Sequence, residues 1–131
     1  MQVDHVGIDI TSCARALRFY VDVLGLKSGE TVAMEKANIH YLYADGKVFI
    51  ELFEPKIKGA EAPHENNIRT KIRHVAFDCR SLEQLGAVRA RAAAQYDGVS
   101  EICEIKRLNL YSLLLHDPDG NEIELVYRPS L

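Results

Sequence analysis

The residues best equipped for chemistry in this 131-residue chain are two histidines and two glutamates that recur in matching contexts. The segment His5-Val6-Gly7-Ile8-Asp9 returns in similar form as His74-Val75-Ala76-Phe77-Asp78, and an Ile-Glu-Leu triplet follows each copy. Nearly the same interval separates the two histidines and the two glutamates, which predicts an internal repeat. Imidazole and carboxylate groups are common ligands of divalent cations. We therefore predict one metal site with four ligands: His5, Glu51, His74 and Glu124.

The first half of the chain has the pattern βαβββ. Alternation predicts a strand over residues 3–10, and a helix follows with Thr11 or Ser12 as its N-cap and Gly25 at its end. The expected apolar stripe of this helix is Cys13, Ala16, Leu17, Tyr20, Val21 and Leu24. Three strands are predicted at 27–35, 38–44 and 47–53, the last two joined by an Asp45-Gly46 hairpin turn.

The second half repeats the pattern after a predicted linker at 55–71, which contains Pro55, Pro63 and Gly59. Strands are expected at 72–79, 99–107, 110–116 and 122–128. The helix between the first two begins at Ser81, with Gln84 at capping-box spacing, and ends at Asp97-Gly98. We interpret the chain as one domain, 1–131, built from a first module over 1–54 and a second module over 72–131.

Strand parity brings the four predicted ligands together. In the strand around Glu51 the apolar set is Val48, Ile50 and Leu52, and in the last strand Ile123 and Leu125 alternate with Glu124. Each ligand thus lies on the face that is less suited to packing against a helix. An α+β fold results, in which two paired βαβββ modules form a cup-shaped mixed sheet with the helices outside and the ligands inside.

Composition excludes several classes of partner. The net charge is −3 and no Lys/Arg run occurs, which argues against nucleic acid. No apolar run approaches the ~18 residues of a membrane span, and the N-terminus opens on a strand pattern rather than a signal peptide. The three cysteines, an odd number without paired spacing, are typical of free thiols in a reducing compartment. We expect a cytoplasmic protein that acts on a small molecule.

These motifs together resemble the vicinal oxygen chelate superfamily, also called the glyoxalase / bleomycin resistance / extradiol dioxygenase family. The resemblance lies in five segments and covers almost the whole chain outside the linker. They are His5-Val6-Gly7-Ile8, the helix end at 19–26, the run at 50–55, His74-Val75-Ala76-Phe77 and the run at 117–125. It implies paired βαβββ modules around one divalent metal, with ligands from the first and fourth strands of each module. Carried over by position, these are again His5, Glu51, His74 and Glu124.

The resemblance also implies a chemistry. A cation of the group Zn, Ni, Co, Mn or Fe, with two open positions, would bind two vicinal oxygens of a substrate and stabilise an enediolate or enolate as a Lewis acid. A ligand carboxylate would then remove the proton next to the carbonyl, with Glu124 the first candidate for this base and Glu51 the second. The ligand set favours a lyase or isomerase of glyoxalase I type, and the family most often forms a homodimer.

Other branches of the family stay open. Asp9 and Pro55 stand where bacterial glyoxalase I enzymes often carry Arg and Asn, and the runs at 49–55 and 72–77 resemble methylmalonyl-CoA epimerase instead. An extradiol-type dioxygenase would use two histidines and one carboxylate on Fe(II), so a fourth ligand counts against it. A metal-free drug-binding protein is disfavoured by the intact ligands. For His40 two roles stay open, a catalytic one by resemblance to the epimerase branch and that of a packed or solvent-facing histidine. We expect His64 and His116 on the surface.

Overall fold

The computed structural model describes residues 3–58 and 72–129. The chain divides into two compact units, Met1–Lys71 and Ile72–Leu131. Each unit contains one four-stranded mixed sheet and one long helical segment, which confirms the predicted α+β class. Most of the predicted linker lies outside the described residues. The joining of the two sheets into a cup stays a prediction.

The first unit has the strand order β1-β4-β3-β2, with β1 parallel to β4 and the other neighbours antiparallel. Its strands are β1 (Val6–Asp9), β2 (Lys27–Ala33), β3 (Ala37–Ala44) and β4 (Lys47–Pro55). The predicted Asp45-Gly46 hairpin is confirmed, because both residues have positive φ angles of 49° and 78°, as this tight turn requires. Strand β4 continues through Pro55, one residue into the predicted linker.

The helical segment of the first unit begins as predicted but changes its winding. Ser12 is the N-cap, and its hydroxyl accepts a hydrogen bond from the Arg15 N–H. Helix α1 (Cys13–Leu17) then continues as a π-helix over Arg18–Val23. The wider winding rotates the later side chains, so the predicted stripe is partly wrong. The side chains actually buried are Ala16, Phe19, Tyr20 and Val23.

Glu54 connects the start of this helix to the end of β4. Its carboxylate accepts a hydrogen bond from the Cys13 backbone N–H, and Lys58 Nζ lies 3.2 Å from it. The Cys13 N–H lowers the pKa of Glu54, partial burial opposes this shift, and Lys58 adds to it. A charged Glu54 therefore occupies the positive end of the helical segment.

The second unit has the equivalent strand order β5-β8-β7-β6, again with one parallel pair, β5 and β8. Its strands are β5 (Val75–Asp78), β6 (Cys103–Ile105), β7 (Leu110–His116) and β8 (Glu122–Tyr127), and its helix α2 (Leu82–Ala93) packs on β7 and β8. Ser81 is the N-cap as predicted, since its Oγ accepts from the Gln84 N–H. The return bond differs from a capping box, because Gln84 Oε1 accepts from the Arg80 N–H rather than from the Ser81 N–H.

Several predicted boundaries in this unit are wrong, and β5 begins at Val75 rather than at residue 72. The strand expected over 99–107 is limited to β6, because the chain turns through a 3₁₀ helix at Lys106–Leu108 and reaches Asn109 with φ = 50°. Asn tolerates this left-handed conformation better than most residues. Helix α2 also ends at Ala93, four residues before Asp97, although the Tyr96 N–H still donates to the Ala92 carbonyl.

The core of each unit consists mainly of apolar side chains from its helix and from one sheet face, and in the second unit Val126 is buried on the other face as well. In the first unit Ile50 and Leu52 of β4 are fully buried, and in the second unit Ile123 and Leu125 of β8 are almost so. Both observations match the predicted parity. In the described parts of the chain, no helix has the length and apolar character needed to cross a membrane.

Candidate metal centre

The first predicted ligand pair lies at the junction of β1 and β4. Register places Glu51 beside Gly7 on one side and Tyr41 on the other, so its side chain points away from the buried face that carries Ile50 and Leu52. His5 lies just before β1, and its Nε2 is 3.1 Å from Glu51 Oε2. The Glu51 side chain is 16% exposed and that of His5 38%.

The second pair repeats this geometry. Glu124 lies beside Ala76 of β5 and Leu114 of β7, on the face opposite Ile123 and Leu125. His74 Nε2 is again 3.1 Å from Glu124 Oε2, and the exposures, 36% and 18%, nearly equal those of the first pair. The structure thus brings each histidine to the glutamate of its own unit. The meeting of the two pairs at one cation stays a prediction.

The second ring nitrogen of each histidine faces a carboxylate. His5 Nδ1 is 2.7 Å from Asp4 Oδ2, and His74 Nδ1 is 3.3 Å from Glu122 Oε1. The Asp4 hydrogen bond raises the pKa of His5, partial desolvation opposes the shift, and the negative charges of Glu51 and Asp4 add to it. Such carboxylate partners fix the orientation of a ligand imidazole and leave Nε2 for the cation.

One contact distinguishes the two pairs. The hydroxyl of Ser112 on β7 donates to Glu124 Oε1 at 2.7 Å, and Ser112 is buried. Ser112 pairs with Val126, two residues beyond Glu124, and the matching position of the first unit is Ile39, which pairs with Phe53 two residues beyond Glu51. Ile39 carries no hydroxyl, so the first glutamate lacks this donor.

The donor atoms suit a divalent cation. Bonds of about 2.1 Å at right angles put neighbouring ligand atoms about 3.0 Å apart, close to the separation within each pair. The same separation suits a hydrogen bond between imidazole and carboxylate without a metal. Within residues 3–58 and 72–129, no three His, Cys, Asp or Glu side chains are grouped closely enough to hold a metal ion. The match between these residues and a divalent cation therefore rests on the imidazole and carboxylate donors of each pair.

His40 lies on the other face of the first sheet. It pairs with Leu52 and shares that residue's buried face, whereas Tyr41 shares the face of Glu51. Its ring nitrogens are 2.7 Å from Ser28 Oγ and 2.6 Å from Thr31 Oγ1. Burial lowers the pKa of His40, so the neutral imidazole is favoured. The first sheet therefore separates this hydrogen-bonded histidine from the Glu51 side chain.

The remaining candidates are His64, His116 and the three cysteines. His116 is about half exposed, as expected, and lies 4.0 Å from Glu122, while His64 falls outside the described residues. All three cysteines are free thiols, and burial raises the pKa of Cys13 and Cys79. A raised pKa disfavours the reactive thiolate, so neither of these two cysteines has the character of an activated nucleophile.

Sequence reasoning missed the carboxylate and hydroxyl groups that contact the ligands. Glu122 could have been found, because it lies two residues before Glu124 and so shares its face. Asp4 directly precedes His5, but no periodicity indicates the contact of its side chain with the ring. Ser112 contacts Glu124 only through the register between β7 and β8, which the sequence does not encode in a readable form.

A comparison with protein families identifies the family of the chain. The model of the Glyoxalase/Bleomycin resistance protein/Dioxygenase superfamily matches residues 2–125. The chain belongs to this superfamily. The superfamily includes enzymes such as glyoxalase I as well as members that are not enzymes, and its members typically use a divalent metal ion.

Three relatives share sequence with the chain. The uncharacterised protein YqjC of Bacillus subtilis (strain 168) is 39% identical over 93 residues, an alignment that spans 66% of this chain and 64% of the relative. Glyoxylase I 4 of Arabidopsis thaliana is 27% identical over 98% of this chain and 72% of its own length. A trivalent organoarsenical cleaving enzyme of Bacillus sp. (strain MD1) is 26% identical over 97% of this chain and 73% of its own length.

Solved structures confirm the fold of the superfamily. A glyoxylase/bleomycin resistance protein/dioxygenase domain from Frankia sp. EAN1pec superposes with a TM-score of 0.83 at 19% identity, covering 99% of this chain and 93% of that one. At such low identity the likeness concerns the fold alone.

Proposed function

We propose that the chain is a divalent-metal-dependent lyase or isomerase of glyoxalase I type. Its metal ligands would be His5, Glu51, His74 and Glu124, contributed as two pairs by one chain or by two chains. The observation that supports this most directly is the repeated pair geometry, in which histidine Nε2 and glutamate Oε2 lie 3.1 Å apart in both units. The relative named glyoxylase I points to the same reaction class.

Each group of the site would have a defined task. The two imidazoles would hold the cation through Nε2, while Asp4 and Glu122 orient the rings through Nδ1. When bound, the cation supplies Lewis acidity that stabilises the negative charge of an enediolate or enolate. One carboxylate takes the proton from the carbon next to the substrate carbonyl and returns it to a neighbouring carbon. The sequence makes Glu124 the first candidate for this base and Glu51 the second.

The charge near Glu51 and the relatives of the chain bear on which substrate it takes. Asp9 pairs with Phe53 and so lies on the sheet face of Glu51, where its negative charge would repel the carboxylates of glutathione. A methylmalonyl-CoA epimerase-like activity is the second candidate, because the runs at 49–55 and 72–77 resemble that branch and the activity needs the same proton transfer. The organoarsenical-cleaving relative adds a third reaction to be assayed, because it matches as much of the chain as the plant glyoxylase.

Metal analysis is the first test. We expect purified protein to contain a near-stoichiometric divalent ion from the group Zn, Ni, Co, Mn or Fe, and Glu51→Gln and Glu124→Gln to lose most of it. Glu104→Gln is a matched control, because Glu104 is exposed on β6, where it pairs with Tyr111 rather than with a ligand strand. A wild-type protein that retains no divalent ion after reconstitution would contradict the proposal.

Activity assays are the second test. The reconstituted protein would be assayed with methylglyoxal plus glutathione, methylmalonyl-CoA, a catechol with O₂, and a trivalent organoarsenical. Turnover of either of the first two, abolished by Glu51→Gln or Glu124→Gln and retained by Glu104→Gln, supports proton transfer next to a carbonyl. Oxygen-dependent turnover of the catechol alone would replace the lyase proposal by a dioxygenase.

We also propose that the protein forms a homodimer, acts in the cytoplasm and binds a small molecule with vicinal oxygens rather than nucleic acid or a membrane. The family most often dimerises, and the net charge of −3 disfavours polyanions. Light scattering during size-exclusion chromatography measures the mass directly. A monomeric mass over the full concentration range would contradict the dimer.

A further inference from the structure

We propose that Ser112 is a positioning residue that anchors Glu124, so that Glu124 is the fixed carboxylate ligand of the metal centre and Glu51 the exchangeable one. This inference rests on the proposed function, since it needs the predicted metal site. It differs from that function in assigning unequal roles to two glutamates that the internal repeat makes look equivalent.

Both oxygens of Glu124 have a partner. Oε1 accepts the hydrogen bond of Ser112 at 2.7 Å, and Oε2 faces His74 Nε2 at 3.1 Å. Two contacts in different directions select one orientation of the carboxylate, in which Oε2 would be the oxygen that holds the cation. The Ser112 side chain is buried, with only 7% of the residue exposed. If Glu124 swung away, this hydroxyl would lose its acceptor in a buried position, which is unfavourable.

Within residues 3–58 and 72–129, no hydroxyl group is seen to anchor Glu51 in this way. Glu51 Oε2 faces His5 Nε2 at 3.1 Å, but the position equivalent to Ser112 is Ile39, whose side chain has no donor. Rotation of the Glu51 carboxylate therefore breaks one polar contact fewer than rotation of Glu124. The glutamate that leaves its ligand position during turnover is then Glu51, which reverses the order of candidate bases predicted from the sequence.

Three substitutions of Ser112 distinguish the effect of its hydroxyl group from the effect of its side-chain volume. Ser112→Ala removes the donor, Ser112→Cys keeps the size but donates weakly, and Ser112→Thr keeps the hydroxyl. The readouts are the Kd of Co²⁺ from titration calorimetry and the visible absorption of bound Co²⁺, which reports its ligand geometry. We expect Kd to rise roughly 10-fold in the Ala and Cys variants, the usual effect of removing a group that orients a ligand. The Thr variant should stay close to wild type in both readouts.

A double-mutant cycle tests whether Ser112 acts through Glu124. In a Glu124→Ala background, Ser112→Ala should change the Co²⁺ Kd no further, whereas in a Glu51→Ala background it should keep its full effect. Equal effects in the two backgrounds, or a wild-type Kd in both Ser112→Ala and Ser112→Cys, would overturn the anchoring role. If Ser112→Ala fails to fold, the isosteric Cys variant decides the result.

The same titration separates this inference from the proposed function. A wild-type protein that binds Co²⁺ while its Ser112 variants bind it equally well leaves the metal site standing and removes only the role of Ser112. A wild-type protein that binds no Co²⁺ overturns both.

Discussion

At the residue scale, the candidate metal centre depends on the contacts that the two ring nitrogens of each histidine make. Nε2 faces a glutamate and Nδ1 faces a second carboxylate in both units, although the second carboxylate comes from different positions. Asp4 is the neighbour of His5 in sequence, whereas Glu122 reaches His74 from β8. Each ring nitrogen thus has a carboxylate partner in both units, although the local sequences differ.

The first prediction concerns these outer carboxylates. Replacing Asp4 or Glu122 by the matching amide, as Asp4→Asn or Glu122→Gln, weakens the hold on the imidazole, so we expect metal affinity to fall about 10-fold or more. Asp22→Asn is the control, because Asp22 is exposed in the π-helical segment. Calorimetric titration with Zn²⁺ measures the change. Equal affinities in Asp4→Asn, Glu122→Gln and Asp22→Asn would show that the outer carboxylates do not orient the rings.

The second prediction concerns pH and His40. Because burial lowers the folded-state pKa of His40, the unfolded chain binds more protons as the pH falls below about 6.5. The free energy of unfolding should therefore decline on acidification from that pH down to the folded-state pKa, by at most about 1.4 kcal/mol per pH unit for one proton. Above pH 6.5 this contribution is fully retained.

Urea unfolding of the wild type and of His40→Gln at several pH values isolates this contribution, since every other titrating group is common to both proteins. The two stabilities should differ most near neutral pH and converge as the pH falls. Parallel curves would mean that His40 titrates alike in the folded and unfolded chains.

At the scale of the element, local signals located most helices and strands but not their winding or their ends. Ser12 and Ser81 begin the two helices as predicted, because a capping side chain acts within one turn. The π-helical winding of Arg18–Val23 was not predicted, and it replaces the expected burial of Leu17 and Val21 by that of Phe19 and Val23. A stripe derived from 3.6 residues per turn cannot include this rotation.

The third prediction uses two glycines in contrasting places. Gly86 lies within α2, and a methyl group added to it would enter open space, so Gly86→Ala should raise the free energy of unfolding by roughly 0.5–1 kcal/mol. A methyl group on Gly29 of β2 would clash with the ring of Tyr43 and lie 3.1 Å from the Tyr41 carbonyl oxygen. Gly29→Ala should therefore destabilise the protein by roughly 1–3 kcal/mol.

Thermal and urea unfolding of both variants, at a fixed metal concentration, show whether Gly86→Ala raises and Gly29→Ala lowers the free energy of unfolding. If Gly29→Ala were as stable as the wild type, Tyr43 would have to move aside at little cost. If Gly86→Ala were destabilising, the helix would need the glycine for a reason other than its conformation.

At the scale of the whole molecule, the proposed metal site depends on the duplication of the βαβββ unit. Each unit supplies one histidine and one glutamate in nearly identical geometry, and neither unit alone offers the full predicted ligand set. Binding of one ion to two pairs would therefore stabilise the folded protein as a whole, since the unfolded chain does not hold the ligands in place.

The fourth prediction follows from that linkage. With free metal about 100-fold above its Kd, the free energy of unfolding should rise by about 2.7 kcal/mol, and removal of the metal by a chelator should reverse the gain. For a chain of this size the shift in Tm is roughly 10 °C. Glu51→Gln and Glu124→Gln should each lose most of the shift, while Glu104→Gln keeps it. Differential scanning calorimetry with and without chelator gives the comparison, and an unchanged wild-type Tm would contradict it.

The sequence by itself determined the repeat, the order of the elements, the parity of the ligand strands and the family, because all of these follow from residue types at short spacing. Only the tertiary structure decided that His40 lies on the face opposite Glu51, that Asp4 and Glu122 hold the imidazoles, and that Ser112 contacts Glu124 while Ile39 stands at the equivalent place. Those facts depend on the register between strands far apart in the chain. Register is set by the packing of whole sheets, in which many small contributions compete, and no short pattern of residues records the outcome.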